Sequence, residues 1–421
     1  MYYIMCLFIF TMIYVGIYKF LTENTAPPSR IQPSSQPTRL SSSDPSKQPS
    51  LQPVRVPWID PSRQPTTTLF SGSPTAVPTY RPSSSSSPPS SSSSLLSQSP
   101  LRKWRGIASD STGRLLTAVV YGGSIYYSSD SGESWAVHNS SANPRNWTSI
   151  SSDSTGRYLF AGESGWMDPS GEYLSRGGLY VSGDFGNSWS FKLAGDFWYN
   201  SIACSSNGSR VVAADGEGGI YLSSDRGNTW VLSSARDRYG NYWVSVTMSD
   251  SGQYLAAGTW ASGIYVSFDY GISWAQSDAP KSHYWVSLTS DSTGRLLAAG
   301  SLTGQVGIEL GVDANYGSIY TSSDYGASWT LANAPSGDWI GIVSSFDGRN
   351  LTAIEQMTGV HRSGDFGQTW HASFDSNKTW QGIASDLSLD YVYATTDGGG
   401  KYRCCTPLLV TCCRTSKLLQ F

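Results

Sequence analysis

Ser223-Ser224-Asp225-Arg226-Gly227-Asn228-Thr229-Trp230 is the stretch whose reading decides the fold. An Asp in a tight turn accepts hydrogen bonds from backbone N–H groups ahead of it. The Gly two residues on takes the positive φ that a hairpin needs, and a Ser or Thr hydroxyl satisfies a further backbone group. The same pattern, Ser-x-Asp-x-Gly-x-Ser/Thr-Trp, recurs in phase from Ser128 to Trp135, Ser182 to Trp189, Ser267 to Trp274, Ser322 to Trp329 and Ser363 to Trp370. These spacings make Asp130, Asp184, Asp225, Asp269, Asp324 and Asp365 turn-holding carboxylates rather than catalytic ones. The closing Trp reads as the apolar plug of each hairpin. Burying about 200 Å² at about 25 cal/mol per Å² contributes on the order of 5 kcal/mol gross.

Outward from the turn, a second Trp opens each repeat, at Trp104, Trp147, Trp198, Trp243, Trp285, Trp339 and Trp380, spaced 41 to 54 residues apart. In the first repeat, 104–109 reads as strand A, 115–120 as strand B, 124–128 as strand C and 135–138 as strand D. Gly, Ser and Asp turns separate them, and no helical periodicity interrupts the region. Four short strands at this period match a propeller blade. Seven starts predict seven blades.

The six turns resemble the Asp-box, or BNR, repeat, and 104–403 resembles the sialidase-like propeller superfamily with its non-catalytic relatives, photosystem II assembly factor propellers among them. The fold expected is all-β, a single seven-bladed β-propeller with Asp-box hairpins. Before it stand an apolar N-terminal helix and a disordered Ser/Pro-rich linker. The division predicted is 1–23 as signal-anchor or signal peptide, 24–100 as stalk, 101–403 as propeller and 404–421 as a Cys-containing tail.

Strand parity puts the A–B turns and the Asp-box turns on one face and the B–C and D–A loops on the other. The loop face receives the repeat-initial Trp residues and two insertions, Glu163 to Gly177 and Ser301 to Gly317. Binding sites sit on variable loops carried by a rigid scaffold, which makes this the candidate face. Trp104, Trp147, Trp198, Trp243, Trp285, Trp339 and Trp380 can ring the channel mouth and stack on sugar rings, or pack between blades. Trp166 and Arg176 in the first insertion join this ligand-binding set.

Sialidases of this superfamily use three arginines around a carboxylate, a Tyr-Glu pair and a Phe/Tyr-Arg-Ile-Pro motif, which this chain lacks. Arg145, Arg176, Arg236 and Arg238 are its loop-face arginines. A glycoside hydrolase needs only two carboxylates flanking a scissile bond. Glu163, Asp168, Glu172, Asp215, Glu217, Glu309, Asp313 and Glu355 are the loop-face candidates, too many to single out a pair. His138, His283, His361 and His371 have no metal-ligand spacing, and neither metal nor cofactor is expected.

The net charge of −3 over 421 residues gives no basic stripe for nucleic acid. Residues 2–20 are almost wholly apolar and long enough to span a membrane as an anchor, or to serve as a signal peptide. From 24 to 100 the chain is Ser, Pro, Thr and Gln with too few apolar side chains to offset ordering entropy. Its basic excess also fits a transit peptide. Asn-x-Ser/Thr acceptors stand at Asn139, Asn146, Asn207, Asn350 and Asn377, each expected in a loop or turn. After strand C the seventh repeat abandons the Asp-box for Cys404-Cys405 and Cys412-Cys413, as disulfides, free thiols or a zinc site. Its fourth strand is expected from residues ahead of Trp104 or from 408–413.

The function expected is a monomeric, non-catalytic scaffold on the secretory or cell-surface side that binds a glycan or protein through the B–C/D–A loop face. A plastid-lumen assembly factor and a glycoside hydrolase are the alternatives.

Overall fold

The Ser-x-Asp turns join the third and fourth strands of six four-stranded antiparallel units, and every unit runs A-B-C-D in chain order. A computed structural model describes residues 102–138, 144–167, 173–175, 177–194, 198–216, 219–235, 241–302, 317–375, 379–397, 401–405 and 413–415. The chain divides into two units, Met1–Ser97 and Gln98–Phe421, and all described residues belong to the second. The expected N-terminal helix and linker therefore lie outside the described residues. Among the described residues there is no helix, so none is long and apolar enough to cross a membrane.

Five sheets stand alone, and the first two units join in one eight-stranded sheet. The join arises because Leu116–Gly123 runs past its hairpin and pairs Tyr121 with Asn146 and Gly123 with Arg145. Each first strand lies against the first strand of the next sheet, and that of the last, Trp380–Ser385, returns to Trp104–Ser109. Strand B is the most uniformly buried element, as in Val211–Asp215 and Leu255–Thr259, which read as continuous small and apolar runs because both their faces are covered. The propeller arrangement follows from sheets that bury both faces against neighbours.

The A–B turns close this arrangement with a cycle of backbone hydrogen bonds. The amide of Ser111 donates to Ser154, Ser154 to Ser206, Ser206 to Asp250, Asp250 to Ser292, Ser292 to Phe346, Phe346 to Leu387, and Leu387 back to Ser111, at 2.8–3.2 Å. Each of these seven amides finds its acceptor on the next turn and is satisfied within the ring.

Within each Ser-x-Asp-x-Gly turn the expected bonding is present and fuller than the sequence alone reveals. In the third sheet Ser223 Oγ donates to Asp225 at 2.9 Å and accepts the Gly227 amide at 2.8 Å. Asp225 in turn accepts the Thr229 amide at 2.8 Å and its hydroxyl at 2.6 Å. Gly227 has φ 72°, but so does the preceding non-glycine turn residue enter the left-handed region: Ser131, Phe185, Arg226, Tyr270, Tyr325 and Phe366 have φ from 56° to 65°. Each such residue costs about 1–2 kcal/mol. The amides of these residues are held by the A–B turn, as in Arg226 N to Ser209 O at 3.1 Å and Tyr325 N to Arg295 O at 3.0 Å. Both turn types therefore share one face, as strand parity requires.

Three expectations change. The third sheet's strand A places Tyr199, not Trp198, opposite Asp215, in the position that Trp243 holds opposite Thr259. Among the described residues the fourth strand of the last sheet is Cys413–Thr415, paired to Lys401–Cys405, so the sheet continues past 403. Antiparallel addition by a short hairpin needs no long-range chain closure. The third change concerns the Trp residues. Strand-A indoles are the core of the molecule, with Trp104, Trp147, Trp243, Trp285, Trp339 and Trp380 at 0–1 % exposure. The indoles that end the Ser-x-Asp turns, Trp135, Trp189, Trp274 and Trp370, are only half-buried, with ring centres 6.1–6.5 Å from them, and Trp230 is half-buried in the cluster that holds Tyr199.

Candidate functional site

Loop-face chemistry begins at one register position, the residue opposite the strand-A aromatic at the end of strand B. Around the ring it is Val120, Glu163, Asp215, Thr259, Ser301, Glu355 and Thr396. A polar side chain here sits beneath the loops and has backbone groups within reach. Thr259 donates to Gly263 O at 2.8 Å and accepts the Ser262 amide at 2.9 Å. Ser301 donates to Ser318 O at 3.1 Å and accepts its amide at 3.0 Å.

The carboxylates at this position perform the same work. Glu355, 8 % exposed, accepts the amides of Asp338 at 3.1 Å, Met357 at 2.8 Å and Thr358 at 2.5 Å. Burial works to raise its pKa, but the hydrogen bonds from Thr358, Met357 and Asp338 together outweigh it and hold the carboxyl below its ordinary value. It is an anionic clamp on two loops. Asp215, fully buried, accepts the Trp198 amide at 3.4 Å.

Glu163 is the carboxylate with side-chain partners. Arg145 pairs with it at 3.2 Å, and the Tyr180 hydroxyl donates to it at 3.0 Å. The guanidinium also lies 4.9 Å from the centre of the Tyr180 ring. Burial, reinforced by the Glu163 charge and opposed by Arg145, pushes the Tyr180 hydroxyl up to about 12, so it is a hydrogen-bond donor and not a nucleophile near neutrality. Tyr180 was not singled out from the sequence. Its signal was there: Tyr126, Tyr180, Tyr221, Tyr265 and Tyr320 recur on strand C, and their rings meet the strand-A aromatics edge-on at 5.1–6.0 Å.

Aromatic surface on this face gathers beside the fourth and fifth sheets. Trp260 stacks on Tyr284 with ring centres 4.3 Å apart and planes 24° from parallel. Its amide donates to Tyr242 O at 2.9 Å, and Tyr242 is 37 % exposed. Trp198 is half-buried at the corresponding edge of the third sheet.

The remaining sequence candidates distribute as follows. Trp104, Trp147, Trp243, Trp285, Trp339 and Trp380 present no free ring face, because each is enclosed by its own strand C tyrosine or histidine, or by the neighbouring sheet's strands. Burial thus gives these six the packing role and removes them from a sugar-stacking rim. Trp166 lies in the short strand Trp166–Met167, paired to Tyr173–Ser175. Arg176, Arg236, Arg238, Asp168, Glu172, Glu217, Glu309 and Asp313 lie outside the described residues, as do Asn139 and Asn377. Asn146 is 7 % exposed inside strand Arg145–Ser152, where a glycan has no room, contrary to the loop expected there. Asn207 and Asn350 are exposed in A–B hairpins on the opposite face. Among the described residues no group of three or more His, Cys, Asp or Glu could hold a metal ion.

That opposite face is tied together by its own side chains. Arg157 Nε donates to Gly183 O at 3.0 Å and Arg295 Nε to Ser323 O at 3.1 Å, linking these two A–B turns to the Ser-x-Asp turns of their own units. Tyr325 packs on Tyr254 of the preceding sheet at 4.3 Å, and the Arg210 guanidinium lies 3.9 Å from the Tyr270 ring centre. These contacts explain why left-handed turn positions carry aromatic side chains.

No protein-family description and no curated protein matches the chain. Solved structures do match in fold. A GH74 enzyme of Niastella koreensis is 17 % identical with a TM-score of 0.57, over 72 % of this chain and 52 % of that one. This chain thus spans about half the length of that enzyme. YCF48 bound to D1 peptide is 16 % identical with a TM-score of 0.53, over 73 % of this chain and 95 % of that one. Hydrazine synthase of Kuenenia stuttgartiensis is 13 % identical with a TM-score of 0.58, over 74 % of this chain and 98 % of that one. At these identities the likeness is one of fold, an all-β propeller.

Proposed function

We propose that this chain is a single seven-bladed Asp-box propeller that works as a non-catalytic binding scaffold, recognising a glycan through its B–C/D–A loop face. The observation that carries this reading is the use made of the strand-end carboxylates. Glu355 and Asp215 are spent on loop amides, and Glu163 is neutralised by Arg145 and capped by Tyr180. A retaining or inverting glycosidase instead needs one carboxyl free to donate a proton and a second aimed at the sugar. Tyr242 and Trp260, the latter backed by the buried ring of Tyr284, supply stacking surface of the kind sugars use.

A membrane-anchored or secreted head on a Ser/Pro stalk fits this role, with residues 2–20 as the anchor. Titration of xyloglucan oligosaccharides and of a sialylated-glycan array against the parent and a Tyr242→Ala/Trp260→Ala variant tests the reading. Binding is expected to fall at least tenfold in the variant. Unchanged binding, or glycan turnover by the parent, would overturn it.

A second reading is favoured by one observation, the match over 95 % of a structure described as YCF48 bound to D1 peptide. On it the same propeller recognises a peptide in a plastid lumen. Thylakoid import of a tagged chain, with a peptide replacing glycan in the binding assay, would select it over the first.

A further inference from the structure

From the strand register we infer that Cys404 and Cys413 form a disulfide that fastens the outermost strand of the last sheet. The ladder between Lys401–Cys405 and Cys413–Thr415 pairs Tyr402 with Thr415, Arg403 with Arg414 and Cys404 with Cys413. Directly opposed residues of an antiparallel ladder have Cα atoms about 4.5 or 5.5 Å apart, depending on pair type, and both values fall in the range of about 4.4–6.8 Å that a disulfide spans.

The cross-link stands where the local fastening used by the other sheets is missing. In those six, the turn before the fourth strand is held by Ser, Asp and Ser/Thr side chains, as in Ser363–Asp365–Thr369 at 2.6–2.8 Å. In the seventh the intervening residues, Thr406-Pro407-Leu408-Leu409-Val410-Thr411, contain no Ser-x-Asp-x-Gly. Its outer strand then depends on ladder bonds along three residues and exposes an edge if it leaves. A disulfide across that short loop limits the freedom of the detached strand. Cys204 does not compete for oxidation, because burial pushes its thiol up to about 12 and it sits in the third sheet.

In the reaction each thiol loses one proton and one electron as the S–S bond forms. Both electrons and both protons pass to a small disulfide such as oxidised glutathione, whose own S–S bond breaks to give two thiols.

The test uses the full chain carrying Cys405→Ser and Cys412→Ser, refolded with oxidised glutathione, treated with iodoacetamide and cut with trypsin. Cleavage after Arg403 and Arg414 releases one peptide containing only Cys404 and Cys413. It is expected two hydrogen atoms lighter than its reduced form and unalkylated until reduced. Alkylation of both thiols in the unreduced chain would overturn the inference. As a check free of that background, amide exchange at 413–415 is expected to speed up about tenfold on reducing the parent. The Cys404→Ser/Cys413→Ser variant should already exchange at the fast rate and ignore reductant. Exchange that does not respond to reduction in the parent would also overturn it.

Discussion

The amide of Leu387 donates to the carbonyl of Ser111 at 3.2 Å, joining the last A–B turn to the first. Beside it the Tyr393 hydroxyl donates to Gly113 O at 2.7 Å and Arg105 to Gln381 at 3.1 Å, so the two ends of the repeat array share one interface. In an open array the terminal repeats fray independently, whereas closure makes their loss cost two interfaces at once.

Leu387→Pro should therefore act on the whole ring. The substitution removes the donor and leaves the Ser111 carbonyl without it, at a cost of about 1–3 kcal/mol. Urea unfolding followed by tryptophan fluorescence should show a lower midpoint in a single transition. An early partial transition with an unchanged main one would show that the last sheet unfolds alone.

The two classes of Trp should separate sharply. Trp243→Ala empties a site at 1 % exposure and should cost about 3–5 kcal/mol. Trp230→Ala, half-buried, forfeits a smaller apolar contact and the indole bond to Gly227 O at 2.9 Å, for about 1–3 kcal/mol. Chemical denaturation of both variants checks the order, and equal losses would contradict it.

Gly258→Ala tests a close approach of adjacent sheets. A Cβ there would stand 2.6 Å from Ser245 Oγ and 2.7 Å from both the Trp285 Cβ and its carbonyl, which Ser245 holds at 2.7 Å. Backbone must shift, and about 1–3 kcal/mol of stability should be lost despite the gain in strand propensity. Thermal unfolding measures it.

Stability should fall in mild acid. Burial pushes His138 down to about 4 against a smaller opposing pull from Asp184, and burial also lowers His283. Between the unfolded value of 6.5 and about 4 the unfolded chain binds protons that folded His138 refuses, so stability is lost as pH drops through that window. Asp365, held down to about 2 by its bonds to Thr369, adds a second loss below the ordinary 3.8. A His138→Gln variant should show a flatter profile from pH 6.5 to 4, read from urea midpoints. A slope equal to the parent's would remove His138 as its source.

Much of the fold could be read one turn at a time. Asp225 reaches only to Thr229 and Ser223, and strand B of each repeat is a short apolar run between Gly-containing turns, so both are written in contiguous residues. The candidate site was less legible. Glu355 looks the same in sequence as any loop carboxylate, and only the return of Asp338 beside it turns it into a clamp. Trp198 and Tyr199 differ by one position, and only the pairing of Tyr199 with Asp215, followed by the same β-bulge that follows Trp243 in the next sheet, shows which of them takes the packing position.

By itself, then, the sequence determined the repeat, the Ser-x-Asp-x-Gly hairpins and the face they share, because these rest on hydrogen bonds spanning four or five residues and on strand parity. Tertiary structure alone decided that the strand-A Trp residues are buried, that Leu387 closes on Ser111, and that Cys413–Thr415 completes the last sheet. Exposure is a property of what the neighbouring sheet covers, and a repeated Trp carries no mark of its neighbour until the ring is closed.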